Sequence, residues 1–232
     1  MTHAYAATYL ADAEDCLSAA VDYAVHDAGV TADNFAWAFM QSGLARRFEC
    51  GDPLVVSGMT GIELAARALT ACHMVDEPSE PTFGDGRSQE YWAGWAAARF
   101  QWTCGCRFED LFGTLSLSSI VGLYHPLHEA DTEVVMEQIE RQIGLSLVGS
   151  ASRPTRISQL RRQRGLTQGE LAQLVGVTVK SIQAYEQRIN SLNRATAETV
   201  MRIARVLGCT IDDLLEPFEY LAIEYNSSKR SR

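Results

Sequence analysis

Thr178, Lys180, Ser181 and Gln183 bring two hydroxyls, an ammonium and an amide together within one short stretch of the chain. Such a mixture suits hydrogen bonding to a polyanion whose edges carry donors and acceptors. A lysine donates to guanine O6 and N7, an outward-pointing glutamine matches adenine, and hydroxyls meet phosphate oxygens. All four lie within Leu166–Glu186, LTQGELAQLVGVTVKSIQAYE.

Two other sets of residue types invite chemistry. Cys104-Gly-Cys106 and His125-Pro-Leu-His128 offer four zinc ligands by type. Structural zinc sites separate paired cysteines by two to four residues and paired histidines by three to five, and neither pair here does. They read as core thiols and as histidines at a helical junction, with no metal and no cofactor. His125, His128 and Glu129 have no marked nucleophile to serve. The chain shows no G-x-S-x-G, no phosphate-cradling glycine loop and no metalloprotease motif, so it reads as non-enzymatic.

The elements that must position the first set are legible from their ends. Thr167 is an N-cap and Glu170, three residues on, completes a capping box. The helix behind it buries Leu171, Leu174 and Val175 and stops at Gly176, a residue suited to chain reversal. Thr178 caps a second helix from Val179 to about Arg188, with Ile182 and Tyr185 inward. Val179, Lys180, Gln183 and Ala184 then project from its exposed side. A helix, a turn containing glycine and a second helix form the arrangement that lays the second helix in a DNA major groove.

These residues resemble the helix-turn-helix family of phage-repressor-like (Xre-type) regulators. The likeness extends from Ile157-Ser-Gln-Leu-Arg161 through Ala197–Gly208 to Ile211-Asp-Asp-Leu-Leu215. It implies a five-helix lambda-repressor-like DNA-binding domain, with base-edge contacts at Val179, Lys180 and Ala184. Gln183 joins them from helix geometry. Phosphate contacts are expected from Gln168, Thr178 and Ser181, and from Arg188, Asn190, Asn193 and Arg194 in the following loop. Arg161 and Glu186 stand where the family has a structural ion pair. Family members often carry Asn-Gly after the recognition helix, whereas this chain has Gln187-Arg188 and a longer loop.

Charge supports the division of labour. The 232 residues carry a formal net charge of −9. Residues 1–149 hold seven Arg, no Lys and 21 acidic residues, and residues 150–232 hold 13 basic and eight acidic residues. An acidic body joined to a basic module is the asymmetry expected of a regulator whose smaller part meets phosphate. Arg153, Arg156, Arg161, Arg162, Arg164, Lys180, Arg188, Arg194, Arg202 and Arg205 together read as a phosphate-facing surface. No apolar run is long enough to span a membrane and the N-terminus lacks a signal-peptide pattern, so a cytoplasmic protein is expected, with six free thiols.

The first 143 residues read as an acidic, all-α domain. Helices are expected over Tyr9–His26, after Thr31, after Thr60, from Ser88, around 108–115 and 117–124, and over 131–143. Gly51-Asp-Pro53 reads as a turn and 75–87, rich in Pro, Gly and acid, as a surface loop. The Ser88 helix holds Tyr91, Trp92, Trp95, Phe100 and Trp102. Its interleaved Ala and Gly favour close helix approach, hence a central core helix over a ligand pocket. Tyr91-Trp-Ala-Gly-Trp95…Gln101-Trp102 and Tyr124-His-Pro-Leu-His-Glu-Ala-Asp131 resemble a helical domain of helix-turn-helix proteins found beside toxin-like genes.

The expected organisation is therefore 1–143 acidic helical domain, 144–153 linker, 154–216 DNA-binding domain, and 217–232 apolar segment with a basic tail. The expected function is a sequence-specific repressor of its own operon, homodimeric on a near-palindromic double-stranded operator. Alternatives are an antitoxin whose N-terminal domain binds a protein partner, and a regulator sensing a ligand beside the tryptophans.

Overall fold

The computed structural model describes residues 3–82, 87–149 and 154–216, and only the backbone of 145–149. Every regular element among these residues is helical, and the chain divides into two compact units, Met1–Ile143 and Gly144–Arg232. The all-α architecture expected from the sequence is what the chain adopts.

In the first unit, α1 (Leu10–His26) runs at the centre, packed against α5 (Gly61–Ala71) and α6 (Gln89–Cys104). Between them come α2 (Ala32–Gln41), α3 (Leu44–Glu49) and α4 (Pro53–Val56). The caps act as local chemistry dictates: Thr31, Thr60 and Ser88 accept hydrogen bonds from the backbone N–H of Asn34, Glu63 and Tyr91. Each relieves one of the unpaired donors that a helix start leaves open.

Contact between α1 and α6 is close because glycine permits it. A Cβ added at Gly94 would sit 2.6 Å from the Leu17 carbonyl oxygen and from Ser18 Cα, both backbone. Backbone cannot swing aside as a flexible side chain does, so the two helices would have to part. Gly94→Ala is expected to destabilise the N-terminal unit by about 1–3 kcal/mol, the usual range for overpacking. Thermal unfolding followed by tryptophan fluorescence measures it, since Trp37, Trp92, Trp95 and Trp102 all lie in this unit.

The aromatic helix α6 serves as core, burying Ala93, Gly94, Ala96, Ala97, Ala98, Phe100 and Trp102. Trp92 and Trp95 are half-buried, and Trp92 meets Tyr124 edge-on with centroids 5.8 Å apart. That contact joins the two aromatic stretches singled out from the sequence. Glu14 and Arg99 form an ion pair across α1 and α6, and burial still pushes the Glu14 carboxyl above its ordinary value against the pull of Arg99.

The turn expected at Gly51-Asp-Pro53 joins two short helices, α3 and α4, with Gly51 at φ +66° between them. Pro53 opens α4 and Asp52 caps it, its carboxylate accepting from Leu54 N–H at 3.0 Å. Phe48 on α3 meets Phe39 and Phe108 edge-on at 5.9 and 5.7 Å, tying α3 to α2 and to α7 (Phe108–Thr114). Short helices α8 (Leu117–Val121) and α9 (Tyr124–Leu127) follow. The loop after α5 is fastened to α1, where the Tyr23 hydroxyl donates to the Ser79 carbonyl at 2.7 Å.

α10 spans Thr132–Gly149, past the stop expected at Ile143. Leu145-Ser-Leu-Val148 keeps helix-compatible residues and no proline intervenes before Pro154, so nothing breaks the ladder there. The first residues of the expected linker are thus helical. Residues 150–153 of that linker, and the segment 217–232, lie outside the described residues.

The second unit holds α11 (Arg156–Gln163), α12 (Gln168–Val175), α13 (Val179–Glu186), α14 (Ala197–Leu207) and α15 (Ile211–Leu214). One face of each supplies a single core: Ile157, Leu171, Val175, Ile182, Ile203, Leu207 and Leu214 are all buried. Leu174, expected inward, is 60 % exposed. It lies on the helix flank away from the stripe made by Leu171 and Val175.

Candidate nucleic-acid interface

Local chemistry builds α12 and α13 one after the other. The Thr167 hydroxyl accepts from Glu170 N–H at 3.2 Å while the Glu170 carboxylate accepts from Thr167 N–H at 2.7 Å. Gly176 ends α12 at φ +78°, a left-handed conformation that costs glycine little. Two residues later the Thr178 hydroxyl accepts from Ser181 N–H at 3.1 Å and starts α13.

α13 is anchored on one side and open on the other. Ile182 is fully buried in the core. Val179 is 43 % exposed and Lys180 is exposed, while Ser181, Gln183 and Ala184 are half-buried. Val179 and Gln183 are four apart, Lys180 and Gln183 three apart, so they share one strip of helix surface. The four residues expected at base edges therefore stand together.

Glu186, at the last turn of α13, is held from behind. Arg161 grips it with a two-pronged contact, Nε to Oε1 at 2.6 Å and Nη2 to Oε2 at 3.1 Å, and donates a further bond to the Leu166 carbonyl at 2.5 Å. This places the ion pair between α11 and α13. Burial works against the Glu186 charge, but the hydrogen bonds from Arg161 and Gln168 outweigh it and hold its pKa below the usual carboxylate value. Gln168 Nε2 reaches Glu186 at 2.7 Å, and Gln183 Nε2 reaches Gln168 Oε1 at 3.4 Å.

The helix ends two residues before the expected Arg188. Arg188 instead adopts φ +54°, the left-handed position that commonly closes a helix and usually holds glycine or asparagine. This is the spot where the family pattern carries Asn-Gly. A side chain with a Cβ pays about 1 kcal/mol there. Arg188→Gly is expected to leave the melting temperature of the C-terminal unit unchanged or raised by a few degrees, while weakening DNA binding through loss of the guanidinium. Paired melting and binding titrations separate the two effects.

In the loop that follows, Asn190 and Arg194 are exposed. Asn193 is engaged in another way: its Nδ2 donates to the Glu216 carbonyl at 2.6 Å and its Oδ1 accepts from Glu216 N–H at 3.0 Å. Glu216 also accepts from Arg156 N–H at 2.6 Å, covering an open donor at the start of α11. Sequence reasoning gave Glu216 no role, because its partners are 23 and 60 residues away and no local motif announces them.

Several arginines counted from sequence as phosphate-facing are staples inside the unit. Arg156 donates to the carbonyls of Asp212 and Leu215 at 3.0 and 2.9 Å. Arg164 donates to those of Leu207 and Gly208 at 2.7 and 3.1 Å, and Arg202 to that of Val175 at 3.5 Å. Each meets a helix C-terminus, where open carbonyls and the dipole favour a cation. Arg162, Arg164, Lys180, Arg188, Arg194, Arg202 and Arg205 are all exposed, so Arg164 and Arg202 hold carbonyls while still facing solvent.

Among the described residues no three His, Cys, Asp or Glu side chains are placed to hold a metal ion. Cys104 donates to the Phe100 carbonyl at 2.9 Å, and the hydrogen bond that the Cys106 thiol makes to Cys104, together with burial, pushes the Cys106 thiol well up. His125 and His128 lie on the surface with Tyr124, which stacks on His128 at 4.4 Å. No described helix is long and apolar enough to cross a membrane.

Comparison with protein families places residues 157–214 in the helix-turn-helix family. The match spans α11 to α15 and makes the C-terminal unit a DNA-binding helix-turn-helix module of the Xre-like kind. Comparisons with curated proteins and with solved structures gave no match.

Proposed function

We propose that the chain is a sequence-specific double-stranded DNA-binding transcriptional regulator that represses its own operon. The observation that carries this reading is the contrast between the two sides of α13: Ile182 and Glu186 are fixed within the module, while Val179 and Lys180 stand open. In this reading α13 enters the major groove. Lys180 donates to guanine, Val179 and Ala184 meet thymine methyl groups, and Gln183 reads a base edge.

Phosphates are met by Thr178 and Ser181 at the start of α13, by Gln168 at the start of α12, and by Arg188, Asn190 and Arg194 in the loop. Asn193 serves this surface by holding the loop to Glu216. With few polar groups at the base edges, DNA shape contributes to the choice of site. One such module makes too few contacts for a regulator's affinity, so two chains bind a near-palindromic operator.

Selection of bound sequences from random duplexes by the full-length chain, at fixed salt, tests the reading. A two-fold symmetric site occupied by two chains is expected. Equal recovery of all sequences would contradict it.

The acidic N-terminal unit is the place for a protein partner. It carries Trp37 and Leu54 at 47 % and 69 % exposure, large apolar side chains on an acidic surface. This favours the antitoxin alternative, in which that unit neutralises a partner and the module regulates the shared operon. Co-expression with the neighbouring genes is expected to yield a stoichiometric complex that Trp37→Glu or Leu54→Glu weakens. A chain that purifies alone under those conditions would count against it.

A further inference from the structure

We infer that Gln183 reads adenine, its amide fixed in a single orientation by a hydrogen-bond relay that starts at the Arg161–Glu186 ion pair. The inference deepens the DNA-binding reading and rests on it.

The orientation follows from charge. Glu186 is an ionised carboxylate, held so by the fork of Arg161, and a carboxylate only accepts hydrogen bonds. The neighbouring Gln168, 2.7 Å away, must therefore turn its NH₂ group toward Glu186. That turn puts the Gln168 carbonyl oxygen on the opposite side, 3.4 Å from Gln183. An oxygen there accepts only from an N–H, so Gln183 must in turn offer its own NH₂. An amide is ordinarily free to flip end for end, its two ends being nearly alike in size. Here one buried ion pair decides both amides in sequence.

What remains of Gln183 is one N–H and the carbonyl oxygen. A donor beside an acceptor is the complement of adenine in the major groove, which presents N7 as acceptor and N6–H₂ as donor. Guanine presents N7 and O6, two acceptors, and would set an oxygen against the Gln183 oxygen. Position agrees with this role, because Gln183 shares its strip of helix with the open Val179 and Lys180. The relay also orders a flexible side chain before DNA arrives, which lessens the entropy lost on binding. Gln168 and Glu186 are then positioning residues, acting on the base through Gln183.

The test uses the full-length chain. Selection from random duplexes defines the half-site, and competition binding at one salt concentration compares that site with duplexes changed at single base pairs. For the wild type, an A·T pair is expected at a fixed place in each half-site. Its change to G·C should weaken binding about tenfold or more. Gln183→Ala should bring the two duplexes to near-equal affinity at that position, leaving the preference at other positions in place. Gln183→Glu, with acceptors only, should move the preference toward cytosine, whose N4–H₂ donates. Gln168→Met keeps length without hydrogen bonds and should lower the adenine preference while the unit melts normally, an effect a merely structural role would not produce.

If Gln183→Ala keeps the full wild-type discrimination at every position, the adenine assignment is overturned while DNA binding stands. If Gln168→Met leaves the Gln183-dependent preference whole, the relay is overturned. Should the wild type enrich no sequence at all, the DNA-binding reading itself fails and takes this inference with it.

Discussion

Arg161→Ala is expected to cost the C-terminal unit about 3–5 kcal/mol, the usual loss when one partner of a buried ion pair is removed. Arg161 is only 9 % exposed, and without it the Glu186 carboxylate is left in place with Gln168 as its remaining partner. The Leu166 carbonyl loses its donor as well. Small domains hold roughly 5–15 kcal/mol in all, and one of this size lies toward the lower end, so much of the population should unfold. Amide hydrogen exchange across 154–216 measures the loss. Tryptophan fluorescence provides an internal control, because every tryptophan lies in the other unit and its transition should not move.

Two companion outcomes identify the cause. Replacing both partners, Arg161→Met with Glu186→Met, should recover much of the stability, since no uncompensated charge remains. The pH dependence follows from the sign of the Glu186 shift. Its folded pKa lies below the unfolded value, so the contribution is complete above the ordinary carboxylate range and is lost as pH falls through the folded pKa. The wild-type C-terminal unit should weaken on acidification below about pH 4, and Arg161→Ala should flatten that part of the profile. An Arg161→Ala chain with wild-type exchange protection in α11 and α13 would refute this account.

Lys180→Glu is expected to weaken binding to the selected operator at least about 100-fold, combining the loss of a donor to guanine with repulsion of phosphate. The fold should not suffer. Lys180 is exposed in the first turn of α13, where a carboxylate interacts favourably with the helix dipole. Reduced affinity with an unchanged or slightly raised melting temperature therefore isolates the interface. The slope of log affinity against log salt should fall by about one if the ammonium displaces a counterion. Operator affinity within about twofold of wild type would remove Lys180 from the interface.

How much of this the sequence discloses depends on the distance over which each element is decided. Caps are decided within four residues, and Thr31, Thr60, Ser88, Thr167 and Thr178 all start helices where their side chains predict. The inward set Leu171, Val175 and Ile182 is likewise written in helical spacing. α3 escapes a local reading because it is short and its anchor, Phe48, finds Phe39 and Phe108 only in the folded unit. The arginine staples escape it for the same reason. A guanidinium bound to a carbonyl 43 residues away, as Arg164 is to Leu207, looks in the sequence like any surface charge. Charge counting thus located the cationic residues without disclosing which of them also hold carbonyls, while the caps and periodicity disclosed the module's shape.

The latch between Glu216 and Asn193 has a mechanical implication. Glu216 is fastened both to the loop after α13 and to the first residue of α11, so a pull on the chain beyond it is delivered to both. In the proposed DNA-binding reading, a tag or fusion added at the carboxyl end is therefore a lever on grip strength.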